Sequence, residues 1–278
     1  MPKTLAVAVI HGIGSQGEIQ PTDSAVPTYS KDLHKRVKRE LGTAQFDKVA
    51  WREIFWSDIL QVRQAAYLKS IKRRTRYDNL REFVLCNLSD ASAYRLTPGD
   101  QADNTYERIH ARVTDTLNAL DADTEDGSIL IVLAHSLGGH IMSNYVYDAM
   151  KARTPGDKAL RHLKTMAGFV TFGCNIPLFT FSYDPMDIHP IAFPGSDVPA
   201  DQRQKAWWLN YYDKDDILGY PLKDIGPRYA ALEQKGELKE KAINAGGILT
   251  SWNPGSHNGY WRDDDFYRPV AQFLKRFL

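Results

Sequence analysis

Ser136 stands in the run Ala134-His135-Ser136-Leu137-Gly138-Gly139, directly after Ser128-Ile129-Leu130-Ile131-Val132-Leu133. The apolar, β-branched stretch reads as a buried strand, and the residues from Gly138 onward read as a helix. A serine in a tight strand-to-helix turn, with small residues two before and two after it, is lifted to the carboxyl edge of a sheet as a nucleophile. Bulk at Ala134 or Gly138 would collide with the neighbouring strand and helix. The plainer alternative is a serine that caps the helix.

A serine hydroxyl is a weak nucleophile. It needs a general base, and the base needs an orienting carboxylate. In the α/β-hydrolase superfamily, which this turn resembles, the chain order is Ser, then Asp or Glu, then His. His140, His162, His189 and His257 follow Ser136. His140 falls one turn into the elbow helix and is expected to point away from the hydroxyl. His162 lies in a charged loop, and His189 lies in a Pro-rich loop with no supporting pattern. His257, in Pro254-Gly255-Ser256-His257-Asn258-Gly259-Tyr260-Trp261, precedes the last helix, where the base belongs; its alternative is a loop histidine stacked on Trp261 or Tyr260. The acid is expected after the strand Trp207–Tyr212, which is followed by Asp213, Lys214, Asp215 and Asp216. Asp216, just before the apolar pair Ile217-Leu218, is the first choice, Asp215 the second and Asp213 the third. The other two would be solvated loop acids or caps. The oxyanion requires backbone donors. The N–H of Leu137 is one candidate, and the N–H of Ile13, in His11-Gly12-Ile13-Gly14 after the first strand, is the other. The His11 side chain reads as structural.

These groups can meet only if strands and helices deliver them to one edge. Buried strands are expected at Leu5–Ile10, Lys48–Phe55, Ile129–Leu133, Met166–Phe172 and Trp207–Tyr212, with a weaker one at Gly247–Ser251. Helical patterns cover Ser30–Leu41, Ser57–Arg74, Asn104–Leu120, Gly139–Lys151 and Asp264–Leu278. The alternation predicts an α/β fold, a mostly parallel sheet with helices on both faces, that binds ligands at the carboxyl ends of its strands. No linker divides residues 1–278, so a single domain is expected. Residues 56–127 are longer than a simple crossover needs and read as a helical, cap-like insertion. Within them Lys69, Lys72, Arg73, Arg74 and Arg76, flanked by Tyr67 and Tyr77, read first as a solvated face and second as a contact for an anionic group. Pro177–Tyr183 opens a second insertion whose aromatics either line a pocket or pack the core.

With 278 residues a large single core is feasible. A formal net charge of +1 gives no general attraction to nucleic acid or to an anionic membrane. Cys86 and Cys174 fit no metal or redox spacing and suggest buried thiols in a reducing compartment. The run Leu5–Ile10 is too short for a signal-peptide core, and no stretch is long enough for a membrane span. A cytoplasmic location is expected. Gly12-Ile13-Gly14-Ser15-Gln16-Gly17 fits G-x-G-x-x-G, but Pro21 and Pro27 interrupt the helix a dinucleotide site needs. Arg36, Lys38 and Arg39 also occupy the window of its acid.

Taken together, His11-Gly12-Ile13-Gly14, Ala134-His135-Ser136-Leu137-Gly138-Gly139, Asp216-Ile217-Leu218-Gly219 and His257 resemble the α/β-hydrolase superfamily, specifically its lipase, esterase and thioesterase-like members. The likeness runs the length of the chain, with the first sheet strands of larger relatives lacking. Shorter likenesses at Asp216–Tyr220 and His257–Trp261 are to intracellular DDHD-type phospholipases. The superfamily implies a Ser–His–Asp triad and an acyl-enzyme, with no metal and no cofactor, acting on a small acyl ester or thioester, lipid-like ones included. It does not imply one substrate. Two other classes stay open: a non-catalytic binding protein on the same fold, and an NAD(P)-dependent oxidoreductase.

Overall fold

The computed structural model describes residues 3–12, 23–72, 74–95, 104–152, 163–245 and 256–278. Six strands form one sheet in the order β2-β1-β3-β4-β5-β6. They are β1 (Lys3–Ile10), β2 (Val49–Ile54), β3 (Thr124–His135), β4 (Met166–Phe172), β5 (Trp208–Asp213) and β6 (Leu238–Ile243). All neighbouring strands run parallel. The architecture is therefore α/β with a parallel sheet, and its strand order is not the standard one of the α/β-hydrolase fold.

A parallel sheet covered on both faces needs strands that are apolar on both faces, and β1, β3 and β4 have that composition. Leu5, Val7 and Val9 of β1 enter one core, with Leu33 and Val37 of α1 (Lys31–Leu41) and Phe266, Val270 and Phe273 of α7 (Asp264–Leu274). Ala6, Ala8 and Ile10 enter the other. There they meet Ile109, Val113 and Leu117 of α4 (Thr105–Asp123) and Ile141, Met142 and Val146 of α5 (Leu137–Ala152). Each fully buried Leu, Ile or Val contributes roughly 1.5–3 kcal/mol, so this two-faced burial fixes the register. Trp207 and Trp208 are both in the core.

The 56–127 stretch divides in two. α4 lies on the sheet and serves as the crossover into β3. α2 (Asp58–Ile71) and α3 (Asp78–Ala93) pack on each other, and Gln64 donates to Ser89 and Asp90 across that pair. Of the basic run, Lys69 and Lys72 line an open groove of about 370 Å³ with Thr75, Asp78, Arg81 and Glu82. Arg73 lies outside the described residues.

The strand β6 at Leu238–Ile243 is absent from the sequence reading, and Gly247–Ser251 lies outside the described residues. β6 carries Lys239, Glu240 and Lys241 and, among the described residues, pairs on one side only. An edge strand needs no apolar run and is protected by charge, so a search for buried strands passes over it. A helix at Pro227–Gln234, α6, precedes it, opened by a proline in its first turn. Among the described residues no helix is long and apolar enough to cross a membrane.

Candidate active site

The chain runs from β1 to β2 on one side of the sheet, then crosses to β3 on the other side of β1. Ligands of open α/β sheets bind at such a reversal, at the carboxyl ends of the strands. Ile10 pairs with Ala134 across β1 and β3, so two residues further on Gly12 stands beside Ser136. The approach is so close that a Cβ on Gly12 would lie 2.2 Å from Ser136 Cβ and 2.7 Å from its Oγ. A Cβ on Gly138 would lie 2.8 Å from the His11 carbonyl oxygen. Both glycines are therefore spacers between the end of β1 and the turn that carries the serine.

Ser136 has φ 54°, in the left-handed region. Non-glycine residues seldom adopt it, and such strain concentrates at functional sites. The turn is held by the Ser136 N–H donating to the Phe172 carbonyl at 3.0 Å and the Gly139 N–H donating to the Ser136 carbonyl at 3.0 Å. Leu137 opens α5, and a first-turn N–H points out of the helix end rather than into its ladder. Ile13 lies outside the described residues.

Three distant segments converge here. Ser136 Oγ is 2.7 Å from His257 Nε2. His257 Nδ1 lies 2.9 Å from Asp216 Oδ2 and 3.1 Å from Oδ1. All three side chains are buried. Neutral imidazole has one donor and one acceptor nitrogen; with Nδ1–H donating to the carboxylate, Nε2 is left to accept the serine proton. Burial by itself would raise the Asp216 carboxyl. The hydrogen bond and charge of His257, the Leu218 N–H at 3.0 Å and the Tyr260 hydroxyl at 2.9 Å outweigh it and hold the group below its ordinary value.

Asp213 and Asp215 have other places. Asp213 is buried, and its carboxylate accepts the N–H groups of Asp215 at 2.9 Å and Ala245 at 2.7 Å. Asp215 is exposed. His140 lies flat on Phe179, ring centroids 4.0 Å apart, and His189 is an exposed neighbour of Arg228. His162 lies outside the described residues. His11 stacks on Trp56 and accepts its backbone N–H at 3.4 Å, while burial, partly opposed by a hydrogen bond to the Gly12 carbonyl, pushes its pKa down to about 4. It is neutral, as a structural histidine should be.

Two neighbours were not singled out by sequence reasoning. His135 is buried against the His257 ring, with centroids 4.7 Å apart, and its Nε2–H donates to the His257 carbonyl at 2.7 Å. Burial first, and His257 second, drive its pKa well below the usual value, so it is an uncharged wall. The other is Tyr260. Residues 256–261 form a 3-10 turn, in which side chains three apart eclipse one another. His257 and Tyr260 therefore face the same carboxylate. The spacing His257-Asn258-Gly259-Tyr260 carried that signal.

No protein-family model matches the chain, and no curated protein matches it significantly.

Proposed function

We propose that the protein is a serine hydrolase of the α/β-hydrolase type, cleaving a carboxylic ester or thioester through an acyl-enzyme on Ser136. The observation that carries this is the hydrogen-bonded chain Ser136–His257–Asp216 at the carboxyl edge of the sheet, where the strand order reverses. Ser136 Oγ attacks the acyl carbon while its proton passes to His257 Nε2. Asp216 holds the imidazole tautomer and stabilises the imidazolium. The oxyanion takes the Leu137 N–H, with the Ile13 N–H as the expected second donor. His257 then protonates the departing oxygen or sulfur, and water attacks the acyl-enzyme with His257 again as base.

The acyl side of the substrate is apolar in this reading. Leu178 and Phe181 stand in the segment after β4 and Ile217 in the one after β5, and all three are exposed. α2 and α3, which leave the carboxyl end of β2, are the cap-like part of the 56–127 insertion, since α4 is engaged with the sheet.

A fluorophosphonate probe tests the reading. Stoichiometric labelling, abolished in Ser136→Ala, is expected. A folded protein that does not label would overturn it and leave the binding-protein alternative.

A further inference from the structure

Asp216 presents two oxygens to its surroundings, and His257 Nδ1 lies 3.1 Å from Oδ1 and 2.9 Å from Oδ2. Oδ1 also accepts the Leu218 N–H at 3.0 Å. The Tyr260 hydroxyl donates to Oδ2 at 2.9 Å, and its oxygen accepts the Asp213 N–H at 2.8 Å. Tyr260 is fully buried, with its ring near Phe172 and Phe266. The hydroxyl is thus fixed at both ends, to the last residue of β5 and to the carboxylate.

We propose that Tyr260 is a positioning residue of the candidate triad, one whose hydroxyl locks the Asp216 carboxylate in the orientation that receives His257 Nδ1–H. The proposal rests on the hydrolase reading of Ser136. A hydrogen-bonded line then runs from the Asp213 amide through the Tyr260 hydroxyl, Asp216 Oδ2 and His257 to Ser136 Oγ. A hydroxyl that accepts an amide proton is polarised as a donor, so β5 strengthens the grip on the carboxylate. Burial, with the Asp216 charge adding to it, raises the phenol far above its ordinary value, and the hydroxyl keeps its proton throughout the working pH range. A purely structural tyrosine would instead serve only to satisfy the Asp213 amide. Its loss would lower stability and leave catalysis unchanged.

Tyr260→Phe separates the two roles. The variant is expected to lower kcat about tenfold or more, with KM held within about twofold. The low-field proton resonance of His257 Nδ1–H is expected to move, because its acceptor oxygen has lost a second donor. In an Asp216→Asn background the same substitution is expected to add nothing, since the hydroxyl acts through that carboxylate. A folded Tyr260→Phe protein with wild-type kcat and an unmoved resonance overturns the proposal. Should that variant not fold, 3-fluorotyrosine at position 260 keeps the hydroxyl and makes it a stronger donor. The resonance must then move, and an unmoved one overturns the proposal. The two levels fail differently. Wild-type protein that a fluorophosphonate does not label overturns the hydrolase reading, and this proposal with it. Wild-type protein that labels, beside a Tyr260→Phe variant that labels equally fast, overturns this proposal alone.

Discussion

The contact between Gly12 and Ser136 is the tightest test of how the sheet positions the proposed nucleophile. In Gly12→Ala the new Cβ would sit 2.2 Å from Ser136 Cβ, about 1.2 Å inside ordinary contact, which begins near 3.4 Å. None of the three nearest neighbours is a flexible side-chain end. The nearest is the first side-chain atom of the serine, the second, at 2.7 Å, is the serine Oγ that is held by His257, and the third, at 3.0 Å, is the His135 carbonyl oxygen. The strands cannot slide apart, because β1 and β3 are paired from Leu5↔Ile129 to Ile10↔Ala134. The displacement must therefore fall on the segment after β1 or on Ser136 itself. A misplacement of about 1 Å at a reacting atom typically costs about a hundredfold in rate. Forcing a methyl into packed surroundings costs about 1–3 kcal/mol, which lowers Tm by about 5 °C in a chain of this size. The second-order rate of fluorophosphonate labelling and a thermal melt read the two effects separately. Labelling at the wild-type rate together with a wild-type Tm would refute the close approach and the argument built on it.

Other positions give independent expectations. Ser136→Gly should be more stable than Ser136→Ala by about 1 kcal/mol in chemical denaturation, since φ 54° strains alanine but not glycine; equal stabilities would speak against a left-handed turn. Glu53 is buried and accepts the N–H groups of Thr28 and Ser30 at 2.9 and 2.7 Å as well as both hydroxyls, so Glu53→Ala should cost about 3 kcal/mol or more by urea midpoint. A loss below about 1 kcal/mol would show that the loop before α1 does not depend on it. Burial pushes the Asp90 carboxyl up to about 7 from 3.8, against the opposing hydrogen bond of Gln64. The folded state then keeps a proton that the unfolded chain releases, and stability falls as pH rises from 3.8 to about 7. At 1.36 kcal/mol for each pH unit, the fall amounts to about 4 kcal/mol. Asp90→Asn should flatten that slope, as urea midpoints at about pH 5 and pH 8 will show; an unchanged slope would place the titration elsewhere.

How much was legible in the sequence follows from what each element buries. β4 was read at its observed limits because Met166–Phe172 is buried at every position, which leaves an unbroken apolar run. The elbow was legible for the same reason, with β3 apolar up to a turn of small residues. α3 shows only weak amphipathic patterning, since it packs chiefly on α2 and leaves Val84 and Leu88 exposed. β6 was hidden by its edge position. Tyr260 is legible as a neighbour of His257 but not as a partner of Asp216, because that contact comes from the eclipsed geometry of a 3-10 turn, which no hydrophobic period records.

The three aspartates after β5 show how a position can be chosen for an incomplete reason. Asp216 was favoured because the apolar pair Ile217-Leu218 follows it, yet Ile217 is 71 % exposed and anchors nothing inward. Backbone contacts bring the carboxylate to His257, where the Tyr260 hydroxyl meets Oδ2 at 2.9 Å. The Asp216 N–H returns to the Asp213 carbonyl at 3.2 Å, closing a turn, and the Leu218 N–H caps Oδ1 at 3.0 Å. Asp213 occupies the strand end, where its carboxylate is spent on the amides of Asp215 and Ala245. Asp215 is left facing solvent. The three asparagine variants should therefore separate by kind of damage. Asp216→Asn should cut kcat by up to about ten-thousandfold on a p-nitrophenyl ester, because an amide cannot hold the tautomer. Asp213→Asn should lose stability first, by about 1–3 kcal/mol, since the amide keeps one accepting oxygen and its nitrogen cannot accept the second N–H. Asp215→Asn should stay within about 0.5 kcal/mol of the parent in stability and leave kcat unchanged. A severe kcat loss in Asp215→Asn, with Asp216→Asn near wild type, would mean that the turn closes one residue earlier in solution and that the assignment of the acid is wrong.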